Sequence, residues 1–170
     1  MDLSIVLPTY NEKDNIINLV EQILEILKNT ENKEIIVVDD NSPDGTHSAI
    51  SNAFEKNDRI KILLRKSNRG LANSIIEGIK ISKGKNIIVM DTDLTHDPKL
   101  IPKLIYLIKE YDIISCSRYC VGGLMENKIH FYLSFFFNLL LRIVLKTRIQ
   151  DNLGGFFCIK KKVLDSLPVE

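Results

Sequence analysis

The stretch Ile35-Ile36-Val37-Val38-Asp39-Asp40-Asn41-Ser42-Pro43-Asp44-Gly45 decides the fold. An unbroken run of β-branched apolar residues predicts a strand covered on both faces, as in a parallel sheet. Two carboxylates leave the strand, and Ser42-Pro43-Asp44-Gly45 supplies a turn leading into a helix. The same grammar recurs on either side. Leu3-Ser4-Ile5-Val6-Leu7 reads as a strand that Pro8 stops. Ile16, Ile17, Leu19, Val20, Ile23, Leu24 and Leu27 recur at helical spacing, with Asn11 as the expected N-cap. Strands are expected over 60–64, 86–90 and 112–117. A helix is expected over 70–82, closed by Gly84, and another begins at Pro98 with Asp97 as its cap. Strand and helix alternate about four times, with connections unlike those of hairpins. The expected fold is therefore α/β: a doubly wound, mostly parallel sheet with helices on both faces.

The 170 residues suit one domain of roughly 100–200 residues. With 45% hydrophobic and 26% charged residues the composition is globular, and a net charge of +1 argues against a generally basic nucleic-acid binder. The three cysteines, Cys116, Cys120 and Cys158, do not read as a disulfide framework. They form no zinc set with His47, His96 and His130. Polar Asp2 and Ser4 interrupt the opening, so no signal segment is expected and a cytoplasmic setting is.

Ligands of such sheets bind where the strands end at their carboxyl edge. Glu12, Asp39, Asp40, Asp91 and Asp93 are expected to crowd that rim, where mutual repulsion raises some of their pKa values unless a cation or hydrogen-bond donors intervene. Asp91-Thr92-Asp93 leaves the strand Ile87-Ile88-Val89-Met90. Two carboxylates at that spacing can share Mg²⁺ or Mn²⁺ with a nucleotide diphosphate as co-ligand, although the triplet also suits a solvated turn. Asp39 is expected to face a nucleobase or ribose, and Asp40 the turn or a supporting partner. Asn68-Arg69-Gly70-Leu71-Ala72 is either an anion-holding helix entry or a tight turn. Arg118 can reach the rim, to stabilise a diphosphate leaving group, to pair with the acids there, or both.

Residues 129–146 differ from all that precedes them. His130, Ser134, Asn138, Arg142 and Lys146 recur every fourth residue, and the positions between are apolar. On a helix they make one narrow polar stripe. The 44 residues from Asn127 carry seven Lys/Arg against three acids. The expectation is a helix lying in a membrane interface, with a core or partner-docking helix as the alternative.

Ile5-Val6-Leu7-Pro8-Thr9-Tyr10-Asn11-Glu12, Val37 to Thr46, Met90 to Pro98 and Ser117-Arg118-Tyr119 together resemble family 2 inverting glycosyltransferases. More narrowly they resemble the dolichol/polyprenol-phosphate mannosyltransferases. Gly122-Gly123 and Asp151-Asn152-Leu153-Gly154-Gly155-Phe156-Phe157 extend the likeness over nearly the whole chain. The resemblance implies a GT-A fold in which Pro8, Tyr10, Glu12 and Asp39 hold the nucleotide, with Val37 near the base. It implies that Asp91, Asp93 and Thr95 hold Mg²⁺ or Mn²⁺, that Thr92 sits beside the donor, and that Arg118 contacts donor or acceptor phosphate. Asp93 and Arg118 are thus the expected catalytic pair. The apolar helix matches the family's interfacial helix.

Three departures go with it. No arginine precedes Ser134 on the helix, and Phe157 stands where many members have arginine, which leaves Lys128 or Lys160 as substitutes. The chain ends sooner than full-length members. The boundary between a nucleotide-sugar-binding core (1–125) and an acceptor-side segment of the same domain (126–170) falls before the helix.

The implied reaction moves a hexose, mannose from GDP-mannose foremost, onto a polyprenyl or dolichyl phosphate with inversion, at the cytoplasmic face of a membrane. Alternatives are a UDP-sugar donor with another acceptor, or a non-catalytic nucleotide-binding module.

Overall fold

A computed structural model describes residues 1–119, 128–147 and 149–166, with side chains of the apolar helix from Tyr132 onward. Cys120, Gly122, Gly123, Arg148, residues 167–170, the 125/126 boundary and the side chains of Lys128 and His130 lie outside this description.

The chain runs β1 (Leu3–Thr9), α1 (Lys13–Ile26), β2 (Lys33–Asp39), α2 (Thr46–Phe54), β3 (Ile60–Leu64), α3 (Leu71–Ile81) and β4 (Asn86–Val89). A short 3₁₀ turn at Pro98–Leu100 leads into α4 (Ile101–Leu107). Then come β5 (Ile113–Ser115), α5 (Lys128–Val144), β6 (Phe157–Lys160) and α6 (Lys161–Leu164). The six strands are ordered β3-β2-β1-β4-β6-β5. β3, β2, β1 and β4 are parallel, and β6 runs antiparallel to both β4 and β5.

Strand pleating divides the apolar residues between two layers. Ile5, Leu7, Ile35, Val37, Ile88 and Met90 point to one face, where they meet Ile16, Leu19 and Ile23 of α1, Ile50 of α2 and Leu104 of α4. Val6, Ile36, Val38, Ile87 and Val89 point to the other, against Ile75 and Ile79 of α3 and Val163 and Leu164 of α6. Both faces are covered, which is why β2 carries no polar alternation: all seven of its residues are buried.

Three local expectations are corrected. β1 does not stop at Pro8 but runs through it to Thr9. The Pro8 carbonyl accepts from Thr92 Oγ1 at 3.2 Å, so residue 8 turns its polar edge toward β4. β4 has ended by that level, and the ladder loses nothing through the missing N–H. Asn11 is not the cap of α1: it sits at φ +59° in the turn, and Glu12 occupies the N-cap position. β6 was not anticipated, and β5 is three residues rather than six. Asp97 does cap the turn at Pro98, accepting from the Lys99 N–H at 2.9 Å.

Helix α3 packs on the sheet through Gly78. A Cβ there would strike Val6 Cγ1 and lie 3.0 Å from Val38 Cγ2. Gly78→Ala is therefore expected to destabilise the fold by about 1–3 kcal/mol through overpacking, measured as a lowered urea midpoint with an unchanged m-value.

Candidate active site

Because β2, β1 and β4 are adjacent and parallel, the residues following Thr9, Asp39 and Val89 emerge at one edge. The antiparallel β6 brings its entrance, Gly154-Gly155-Phe156, to the same edge beside β4. The rim is thus built from four chain segments distant in sequence.

Asp91 is half-buried. Burial raises its pKa above the ordinary 3.8, His96 works against that rise, repulsion from Asp93 adds to it, and Arg118 lowers it. The His96 ring packs on Phe156 with centroids 5.3 Å apart, and its Nδ1 lies 3.7 Å from Asp91 Oδ2 and accepts from the Asp91 N–H at 3.3 Å. Gly155 also lies against the Asp91 carboxylate. A Cβ at that position would collide with the Asp91 carboxylate, 2.6 Å from Oδ1, so only glycine leaves the carboxylate its place. Asp93 is exposed, and its Oδ1 accepts from the Thr95 N–H at 3.0 Å and from Thr95 Oγ1 at 2.7 Å. Leu94, at φ +62°, makes the tight bend that permits this. Thr92 is buried and spends its hydroxyl on Pro8. The result is two mutually repelling carboxylates, one partly desolvated, with a threonine hydroxyl beside them. This hard oxygen donor set fits Mg²⁺ or Mn²⁺.

On the β2 side, Asp39 is fully buried. Its Oδ2 accepts from the Ser42 N–H at 3.1 Å, and its Oδ1 from Ser42 Oγ and, at 3.3 Å, from Thr9 Oγ1. The turn brace is therefore Asp39. Asp40 pairs instead with buried Arg65 (NH1 to Oδ1, 2.6 Å) and accepts from the Gly70 N–H at 2.7 Å. The entry to α3 thus already faces an anion, the Asp40 carboxylate, and Gly70 at φ +131° makes the turn. Val37 is wholly buried in the core below Asp39 and has no surface at the rim. Tyr10 is half-exposed, with the Arg69 guanidinium 5.0 Å above its ring. Arg69 is tethered by bonds to the carbonyls of Asp40 and Asn41. Glu12 receives Asn15 Nδ2 at 2.9 Å, and its N–H donates to Thr46 Oγ1 at 3.1 Å.

Arg118 grips Asp151. Its Nε and NH2 donate to the two carboxylate oxygens at 2.8 and 2.9 Å, and its backbone N–H adds a third bond at 3.2 Å. Burial pushes the Asp151 pKa up, but the bonds to Arg118 outweigh it and hold the carboxyl below the ordinary value of 3.8. The same bonds raise the pKa of Arg118. A third of the Arg118 side chain stays exposed, and it lies close enough to act on Asp91. Lys160 does not substitute for a missing arginine: it pairs with Asp112 at 3.1 Å and lines up with Asn86, at the opposite edge of the sheet. Sequence reasoning gave no role to Asp151, Gly155 or His96. The adjacent glycines at 154 and 155 were the available signal of close approach.

Helix α5 reverses the usual arrangement of a surface helix. Tyr132, Leu133, Phe135, Phe136, Phe137, Leu140, Ile143 and Val144 are exposed, while Asn138 is buried. Among the described residues, no helix is long and apolar enough to cross a membrane. Cys158 lies in the core, and burial with Cys116 nearby pushes its thiol up to about 12.

Residues 4–167 match the family described as Glycosyl transferase family 2, and the chain belongs to that family. Among curated relatives, a dolichol-phosphate mannosyltransferase of Pyrococcus furiosus is 39% identical over 98% of this chain and 48% of its own length. Its namesake in Saccharomyces cerevisiae is 29% identical over 98% of this chain and 63% of its own. This chain therefore spans about half to two thirds of the length of these relatives. Among solved structures, glucosyl-3-phosphoglycerate synthase of Mycobacterium tuberculosis, in complex with Mn²⁺, UDP-glucose and phosphoglyceric acid, gives a TM-score of 0.74 at 17% identity. The match covers 98% of this chain and 59% of that one. The fold is GT-A-like.

Asp151→Asn is expected to cost about 2–3 kcal/mol at neutral pH, below the about 3–5 kcal/mol of a fully buried pair because Arg118 is partly solvated. The Asp151 pKa is lowered in the folded chain, so this stability is present above the unfolded value of about 4 and is lost as pH falls through the folded one. Urea midpoints of the two proteins should converge on acidification below about pH 4.

Proposed function

We propose that this chain carries the nucleotide-sugar half of a glycosyltransferase that moves a hexose from a sugar nucleotide to a lipid phosphate. Mannose from GDP-mannose and a polyprenyl or dolichyl phosphate are the substrates we favour. The observation that carries the reading is the Asp91/Asp93 pair, held by Gly155 and Thr95 at the carboxyl edge in a chain of this family. The names of the two mannosyltransferase relatives favour mannose as the sugar and a dolichyl phosphate as the acceptor. The Mn²⁺ and UDP-glucose of the mycobacterial synthase keep a UDP-sugar as the second donor to be tested.

In this reading Asp91, Asp93 and Thr95 would hold Mg²⁺ or Mn²⁺. When bound, the cation offsets charge on the departing diphosphate. Tyr10, under Arg69, offers an exposed aromatic face to the nucleotide. Glu12 borders the same rim. Asp39 and Thr92 keep the Ser42 turn and the end of β1 in shape. Arg118 holds a phosphate with the part of its guanidinium face left in solvent. A phosphate acceptor is already an anion, so no side chain need remove its proton. Approach from the face opposite the diphosphate inverts the anomeric centre. The outward aromatic residues of α5, with Arg142 and Lys146, suit a helix lying in a membrane interface, which we place at the cytoplasmic face.

Product formation from labelled GDP-mannose and polyprenyl phosphate in detergent with Mn²⁺ tests the reading, with UDP-glucose run in parallel. Asp93→Ala is expected to lower turnover by about a thousandfold, and EDTA to stop it. Turnover that survives both would remove the cation from the scheme, and nucleotide binding without product would leave a binding module.

A separate expectation concerns α5. Phe136→Asp should weaken binding to anionic vesicles by about tenfold or more while leaving Tm unchanged, since Phe136 is 68% exposed. Unaltered sedimentation with vesicles would count against the interfacial helix.

A further inference from the structure

Among the described side chains of α5, Asn138 alone is fully buried, although Phe137 and Leu139 beside it are exposed. Both polar atoms of its carboxamide are hydrogen-bonded. Nδ2 donates to Tyr119 Oη at 3.0 Å and to the Ser134 carbonyl at 3.1 Å, and Oδ1 accepts from the Asn152 N–H at 2.7 Å. Tyr119 Oη also lies 2.6 Å from Ser134 Oγ. Tyr119 and Asn152 each directly follow a member of the Arg118–Asp151 pair. The bonds therefore close a ring: Arg118 to Asp151, along the chain to Asn152, to Asn138, to Tyr119, and back along the chain to Arg118.

We propose that Asn138 is a positioning residue that clasps the Arg118-Tyr119 and Asp151-Asn152 segments together, so that the seating of α5 fixes where the Arg118 guanidinium stands at the rim. The inference rests on the reading of Arg118 as a phosphate-holding group. A single carboxamide reaches both loops and supplies donor and acceptor in fixed geometry. Removing it would leave the Asn152 N–H unpaired and free the Tyr119 hydroxyl from one of its bonds, while the sheet-borne Asp91 and Asp93 stay where β4 and its following turn put them. The clasp thus acts on the phosphate grip separately from the carboxylate pair.

The test compares the chain with N138L, which is similar in size but has no hydrogen-bonding group. If N138L folds poorly, N138S is read in the same way. In ¹⁵N–¹H spectra the Arg118 Nε–H resonance, assigned by its loss in R118K, is expected to be exchange-protected in the unaltered chain and to lose that protection in N138L. The GDP dissociation constant with Mn²⁺ should stay within about twofold, while kcat/KM for polyprenyl phosphate falls by about tenfold or more. In an R118A background the same substitution should add less than about twofold, because its effect runs through Arg118. An unchanged Arg118 resonance, or losses from N138L and R118A that multiply, would overturn the proposal. Should the unaltered chain give no product, the transferase reading fails by itself, and the Arg118 resonance alone decides whether Asn138 controls that side chain.

Discussion

The site depends on one constraint: β1 is paired in parallel with β2 on one side and β4 on the other. Parallel pairing sends all three chains out at the same edge, and helices on both faces leave that edge as the place where polar groups can gather. Asp39 ends β2 and Asp91 follows β4, and only β1 separates those strands, for this reason. The end of β1 then ties the two sides. Pro8 accepts from Thr92 on the β4 side, and Thr9 Oγ1 donates to Asp39 on the β2 side. A strand order that moved β4 to the far edge would keep every local motif and disperse the rim.

The carboxylates of that rim were legible in the sequence because each follows its own strand locally. Ile35 to Val38 announces a doubly covered strand, and the carboxylates that follow must leave at its end. The Asp97 cap and the turn before α2 are likewise decided within a few residues. What could not be read lies across long separations. Asp40 and Asp39 compete for the same turn, and which one braces it depends on Arg65, 25 residues further on. Arg118 finds Asp151 across 33 residues. β6 is four residues long and follows two glycines, too short for any periodicity to show. It becomes a strand because β4 and β5 offer it unpaired edges. Pro8 misled for a related reason: whether a missing N–H ends a strand depends on whether a neighbour is still present at that level.

The antiparallel β6 explains how a segment so late in the chain reaches the site. Running against β4, it must begin at the carboxyl edge and end at the other. Gly155 therefore arrives beside Asp91, and Lys160 is carried away to the amino edge. Phe157 is paired with Val89, just below the rim, where it joins the apolar face shared with Ile87 and Val89.

Helix α5 is attached by a different principle from the rest. The other helices bury apolar stripes against the sheet, at about 25 cal/mol per Å² of apolar area removed from water. α5 instead turns Ser134 and Asn138 toward the protein and keeps Phe135, Phe136 and Phe137 outside. Attachment by hydrogen bonds is directional, so it sets the helix's rotation and register more narrowly than apolar contact would. It also leaves the apolar surface unspent. Ser134 and Asn138 of the polar stripe that the four-residue spacing announced are thus the docking side, while Arg142 and, just past the helix end, Lys146 remain exposed. A helix built this way can present aromatic side chains to an apolar phase without loosening its hold on the loops that carry Arg118 and Asp151, because the two tasks use different faces.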